Sequence, residues 1–158
     1  MAAANDDPAL ARNPANFQPL TPLLFLERAA THGGLRRRYR DFRDRSVRLA
    51  HALAECGIGR GDVVAALLPN VPAMLEAHFG VPMARGVLNT INTRLDAATI
   101  AYILEHGEAK AIIVEREFIP LLRAAFAQTA ARPLVIEVAD DTTPEAARGE
   151  TLGGTDYE

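Results

Sequence analysis

The sequence predicts an α/β protein built on an open, mostly parallel sheet with flanking helices, and three observations carry that expectation. Short apolar runs without polar alternation, such as Asp62-Val63-Val64-Ala65-Ala66-Leu67-Leu68-Pro69 and Lys110-Ala111-Ile112-Ile113-Val114-Glu115, read as strands covered on both faces. Segments of ten to fifteen residues with helical apolar spacing separate them. Glycine, proline and asparagine punctuate the junctions. Alternation of this kind indicates right-handed crossovers between parallel strands.

The elements follow in order. Residues 1–16 are rich in Ala, Asn, Asp and Pro without a period, and read as a loose leader. Thr21 and Pro22 open a short helix through Ala30, which Gly33-Gly34 ends. Asp41 is expected to start the next helix, with Phe42, Leu49, Leu53 and Cys56 as its buried stripe; Gly57 closes it in a left-handed conformation and Ile58 folds back over the end. Gly57 and Gly61 bracket the turn into the first strand, where Asp62 can accept from backbone donors.

After Pro69, Asn70 is expected to cap a helix from Val71 towards Arg85, with Met74, Leu75, His78 and Phe79 on its inner face and Pro82 kinking or ending it. Gly86 to Asn92 reads as a second strand. Asp96 caps a helix from Ala97 to His106 that turns Ile100, Ile103 and Leu104 inward, and Gly107 ends it. Lys110 to Glu115 is a strand, Phe118 to Ala127 a helix through Phe118, Leu121, Leu122, Ala125 and Phe126, and Pro133 to Val138 a further strand. From Ala139 onward the chain is polar, and a linker or loop is expected over residues 139–158.

Composition excludes several classes. The 158 residues, 49% hydrophobic and 23% charged, are enough for a real core in one domain or a large part of one. Seventeen basic against 20 acidic residues, a net charge of −3, leave no electrostatic footprint for nucleic acid. The one cysteine, Cys56, rules out an intrachain disulfide and a cysteine-rich zinc site. No basic flank followed by a long apolar stretch opens the chain, and no apolar run reaches the roughly 18 to 20 residues of a membrane span, so a cytoplasmic protein is expected.

Individual residues admit a functional and a structural reading. The run Arg36-Arg37-Arg38-Tyr39-Arg40-Asp41-Phe42-Arg43-Asp44-Arg45 could grip nucleic acid or a membrane surface, yet the arginines also suit the wet face of a helix, paired with Asp41 and Asp44. Cys56 could be a reactive thiol, but its place at the end of an apolar stripe favours packing. His78 lacks a partner at metal spacing, so packing on a helix is the stronger reading. Asn89, Asn92 and Arg94 lie where open α/β folds place ligands, at the carboxyl end of a strand, although holding a loop suits them better.

The words themselves are more specific. Gly57-Ile58-Gly59-Arg60-Gly61-Asp62 through Leu67-Leu68-Pro69-Asn70-Val71-Pro72 to His78-Phe79-Gly80-Val81-Pro82, followed by Gly86-Val87-Leu88-Asn89-Thr90-Ile91-Asn92-Thr93-Arg94-Leu95-Asp96, resembles the N-terminal region of AMP-forming acyl-CoA synthetases. Within this adenylate-forming family the short- and medium-chain or plant-like acyl-activating branch is the nearest likeness, and it runs from about Phe17 to the end of the chain. The resemblance implies residues 17–138 as an incomplete N-terminal α/β part of a synthetase domain, and fatty acid metabolism as its setting.

It further implies a reaction in which a carboxylic acid substrate, ATP, Mg²⁺ and CoA give acyl-CoA, AMP and pyrophosphate. The family's phosphate-binding loop, rich in Ser, Thr and Gly and ending in Pro-Lys-Gly, has no counterpart here, nor has its catalytic lysine. Leu152-Gly153-Gly154-Thr155 lacks the following lysine, and Lys110, the one lysine, matches no catalytic position. Gly153-Gly154-Thr155-Asp156-Tyr157-Glu158 resembles the acidic linker upstream of that loop, and Thr31-His32-Gly33-Gly34-Leu35 stands where relatives carry a longer strand-bearing segment. No catalytic, cofactor-binding or metal-binding residue is therefore assigned. The expected function is an N-terminal, truncated synthetase part that is inactive alone; a free-standing interaction module and a small ligand-binding protein are the alternatives.

Overall fold

The computed structural model describes residues 37–139 and 151–158. The chain divides into one unit over Met1–Arg37 and another over Arg38–Glu158, and the fold below is that of the second. The expected leader, the expected helix from Thr21 and the segment Thr31–Leu35 lie outside the described residues, as do residues 140–150.

Helix α1 spans Tyr39–Glu55, starting two residues before Asp41. Asp41 sits in its first turn and its carboxylate accepts from the Arg38 amide at 3.4 Å, so it serves the helix start from inside rather than as the cap. Leu49 and Leu53 are buried as expected, together with Ser46 and Ala50. Cys56 is exposed, which corrects its place in the stripe. The helix ends there, and the apolar position is taken by Ile58, whose amide donates to the Leu53 carbonyl at 2.9 Å while Gly57 turns the chain at a φ of 82°.

Strand β1, Val63–Leu67, leads into helix α2, Pro72–Met83. The residue that caps α2 is Val71, without a side-chain bond, so the expected Asn70 cap is corrected: Pro72 at the first position already sets the backbone and lacks an amide to satisfy. The inner face of α2 is also different from the expected one. Ala73, Glu76, Ala77, Gly80 and Val81 are buried, while Leu75, Phe79 and His78 are exposed and Met74 is half-buried. Close approach to α1 decides this: a Cβ on Gly80 would stand 2.7 Å from Leu49 Cδ2, so the small-residue face is the one that fits.

Strand β2, Val87–Thr90, is followed by helix α3, Ala97–His106, whose Asp96 cap accepts from the Thr99 amide at 2.8 Å. Ile100, Ala101 and Leu104 face inward, with Ile103 half-buried. Strand β3, Ala109–Glu115, runs through a 3₁₀ turn, Arg116–Phe118, into helix α4, Ile119–Phe126, and then strand β4, Leu134–Val138. The expected loop at the C-terminus is corrected by a fifth strand, β5, Thr155–Asp156.

All four pairings are parallel, in the order β2-β1-β3-β4-β5. Period-two alternation divides the central strands between two cores. Val64, Ala66, Leu68, Ala111 and Ile113 meet α1 and α2, whereas Ala65, Leu67, Ile112 and Val114 meet α3 and α4. The chain leaves β1 for β2 on one side and returns to β3 on the other, so the strand order reverses beside β1, where open sheets of this kind form a crevice at their carboxyl ends.

Candidate functional site at the carboxyl edge of the sheet

Two features share the carboxyl edge. A depression of about 410 Å³ lies over the ends of β1 and β2, with Leu68, Met74 and Ile91 among its apolar walls and Asn70, Thr90, Asn92 and Thr93 among its polar ones. Among the described residues its polar lining is neutral, amide and hydroxyl side chains that can donate and accept hydrogen bonds.

The polar residues that admitted a functional reading do not converge on it. Asn92 lines it, but its side-chain oxygen accepts from the Arg94 amide at 2.9 Å and so braces the loop, while Arg94 itself is exposed. Asn89 lies on the strand interior, its Nδ2 3.3 Å from the place a Cβ on Gly107 would occupy, against the end of α3. His78 sits on the exposed side of α2, where Nδ1 contacts the Met74 carbonyl at 2.7 Å. Among the described residues no three His, Cys, Asp or Glu side chains are grouped to hold a metal ion.

The second feature is charged and belongs to residues that sequence reasoning passed over. Glu137 of β4, 1% exposed, accepts on Oε1 from Thr151 Oγ1 at 2.8 Å, the Leu152 amide at 2.8 Å and the Gly154 amide at 3.1 Å. Arg116 approaches it at 3.4 Å and reaches Asp156 at 3.6 Å. Burial alone would raise the Glu137 carboxyl, but these hydrogen bonds and the arginine charge outweigh it and hold the group below its ordinary range. The Gly153-Gly154 turn thus cradles an anion, and that anion is Glu137. A nucleotide phosphate does not fit a turn already filled by the chain's own carboxylate.

On the opposite face of the sheet, Glu76 of α2 is equally buried, accepting from Arg45 Nε at 2.7 Å and from the Tyr157 hydroxyl at 2.8 Å. Arg45 continues to Glu158 through two bonds of 2.5 and 2.9 Å. Its guanidinium is held more firmly protonated by Glu158, against a smaller desolvation cost, with Glu76 adding to the effect. Burial pushes the Tyr157 hydroxyl up, and its bond to Glu76 adds to that shift. The arginine run is therefore divided: Arg38, Arg40 and Arg43 are exposed, as a wet face requires, while Arg45 turns inward. A charge inside an apolar pattern was the available signal, since Glu76 interrupts Ala73, Ala77 and Gly80, and Glu137 interrupts Ile136 and Val138.

The geometry defines an open parallel α/β sheet of the type that binds ligands at its carboxyl edge, with the chain's own carboxylates closing part of that edge. A family model described as AMP-binding enzyme matches residues 22–156, and the chain belongs to that family. A peroxisomal acetate/butyrate–CoA ligase of Arabidopsis thaliana is 42% identical over 167 residues, covering 94% of this chain and 29% of the relative. An acetate–CoA ligase of Humulus lupulus is 41% identical over 84% of this chain and 26% of its own length. The chain thus spans between a quarter and a third of these relatives. Among solved structures, an anthranilate CoA ligase bound to anthranoyl-AMP superposes with a TM-score of 0.65 at 21% identity, over 75% of this chain and 21% of that one. An acyl-CoA synthetase of Brucella canis gives 0.61 at 27%, over 75% and 20%.

Proposed function

We propose that this chain is the N-terminal part of an AMP-forming carboxylate–CoA ligase, and that it frames the reaction without performing it alone. The observation that carries this reading is the similarity to CoA ligases along 94% of the chain. In such an enzyme a carboxylic acid and ATP, with Mg²⁺, give an acyl-adenylate and pyrophosphate, and the CoA thiol then displaces AMP. Adenylation calls for a cation and backbone donors aimed at the phosphates. The one lysine in the chain, Lys110, lies at the amino end of β3 and is paired with Asp62 at 2.6 Å. The glycine turn is engaged by Glu137. These placements favour inactivity of the isolated chain. A cytoplasmic location is part of the same proposal, and the peroxisomal location of the Arabidopsis thaliana ligase names the compartment to test against; among the described residues no helix is long and apolar enough to cross a membrane.

Pyrophosphate release from the purified 158-residue chain with ATP, Mg²⁺, CoA and a panel of carboxylates is expected to stay at background. Turnover above it, with contaminating synthetases excluded, overturns the inert reading. A second reading, a non-catalytic interaction module derived from the same family, draws on the exposed stripe Leu75, Phe79 and Met83 of α2. Recovery of ligase activity when the remainder of a plant relative is supplied in trans favours the first reading over the second.

A further inference from the structure

The segment Thr151–Glu158 crosses the edge of the sheet. Leu152 packs on the core under α3 and α4, and Tyr157 packs on the core under α1 and α2. Between them only Ile136–Thr155 and Glu137–Asp156 are paired in register with β4, and the Tyr157 amide donates to the Glu137 carbonyl at 2.9 Å. Leu152 and Tyr157 are half-buried; every other residue of the segment is exposed. Little apolar area therefore holds it. Its polar anchors converge on two carboxylates, Glu137 at one end and Glu76, with Arg45, at the other. Arg123 adds a bond to the Thr151 carbonyl at 3.2 Å. Strands β1 and β3, by contrast, are held by fully buried aliphatic side chains on both faces.

We propose that residues 151–158 form a strap that docks and undocks as one unit while β1–β4 stay folded, with Glu137 and Glu76 as its two fasteners. Local opening of this kind is governed by the few interactions that hold the opening segment, not by global stability. Gly153 takes a φ of 78°, and a Cβ on Gly154 would stand 2.6 Å from the Val135 carbonyl oxygen, so the strap seats only with glycine at that point. Undocking bares the β4 edge and the Glu137 carboxylate together. It also opens the groove of about 290 Å³ that Tyr157 and Thr155 share with Arg45, Leu49 and Cys56.

Native-state hydrogen exchange on the whole chain tests this. In the unaltered protein the Gly154 and Tyr157 amides are expected to exchange through an opening insensitive to low denaturant. The Ile112 and Val114 amides of β3 are expected to exchange slowly, through global unfolding and with its denaturant dependence. Glu137→Gln and, separately, Gly154→Ala are expected to speed exchange at the strap amides about tenfold, as loss of buried bonds to a charged acceptor or of the seat requires, while the β3 amides speed by no more than the same factor and keep the full denaturant dependence of global unfolding. Equal protection and equal denaturant dependence of strap and β3 in the unaltered protein overturn the proposal. So do strap amides that neither variant accelerates.

Discussion

The two helical layers cover the same sheet by different means. Under α3 and α4 the buried helix residues are Ile100, Ala101, Leu104, Ile119, Leu122 and Ala125, an apolar set throughout. Under α1 and α2 the set includes Ser46, Glu76 and Gly80 beside Leu49 and Leu53. The first layer is stabilised by transfer of aliphatic surface out of water. The second gains close helix contact through small residues, and it accepts a buried charge that must be answered by Arg45 and Tyr157. That answer ties the second layer to the far end of the chain through buried charge, whereas the first layer reaches that end through Leu152 and the bond from Arg123 to the Thr151 carbonyl.

The largest expected effect lies in the aliphatic layer. Leu104→Ala, removing a side chain with no exposed surface, should cost about 2–5 kcal/mol in a denaturant-unfolding measurement. Glu76→Gln should cost less, about 1–3 kcal/mol in the same measurement, because it keeps the volume and one acceptor while weakening the bonds from Arg45 and Tyr157. A loss at Glu76 matching that at Leu104 would break the contrast between the layers. The smallest effect comes from acid. Glu137 is held below its ordinary value of 4.5, so its contribution is fully present above that pH and is lost as pH falls through the lower folded value. Nuclear magnetic resonance shifts of the Leu152 and Gly154 amides should move in that acid window, before the β3 amides do.

Much of the first layer was legible in the sequence. The Asp96 cap, the Ile100 and Leu104 spacing and the unbroken apolar run of β3 are local signals, and packing agrees with them. Helix α2 was not legible in the same way, because apolar residues occur all round it and period alone cannot choose a face. What chose it was the distance to Leu49, a tertiary fact. β5 escaped because two exposed residues carry no pattern, and Glu137 escaped because its partners are remote in sequence, Arg116 before it and the donors from Thr151 onward, 14 residues further on. Of the site candidates, Asn92 and Arg94 behaved as the loop reading has it, since an Asn before a turn is itself a local signal.

The short crossing at Thr155–Asp156 bears on self-association. An edge strand that exposes a long row of backbone donors and acceptors recruits further strands, and aggregation follows. While the strap is docked, β5 offers only two residues, with an exposed acidic side chain at Asp156 and another at Glu158 just beyond, so this side of the sheet then makes a poor template for a second chain. The opposite margin among the described strands, β2, exposes Val87, and α2 exposes Met83. Clumping of this protein, where it occurs, should begin there.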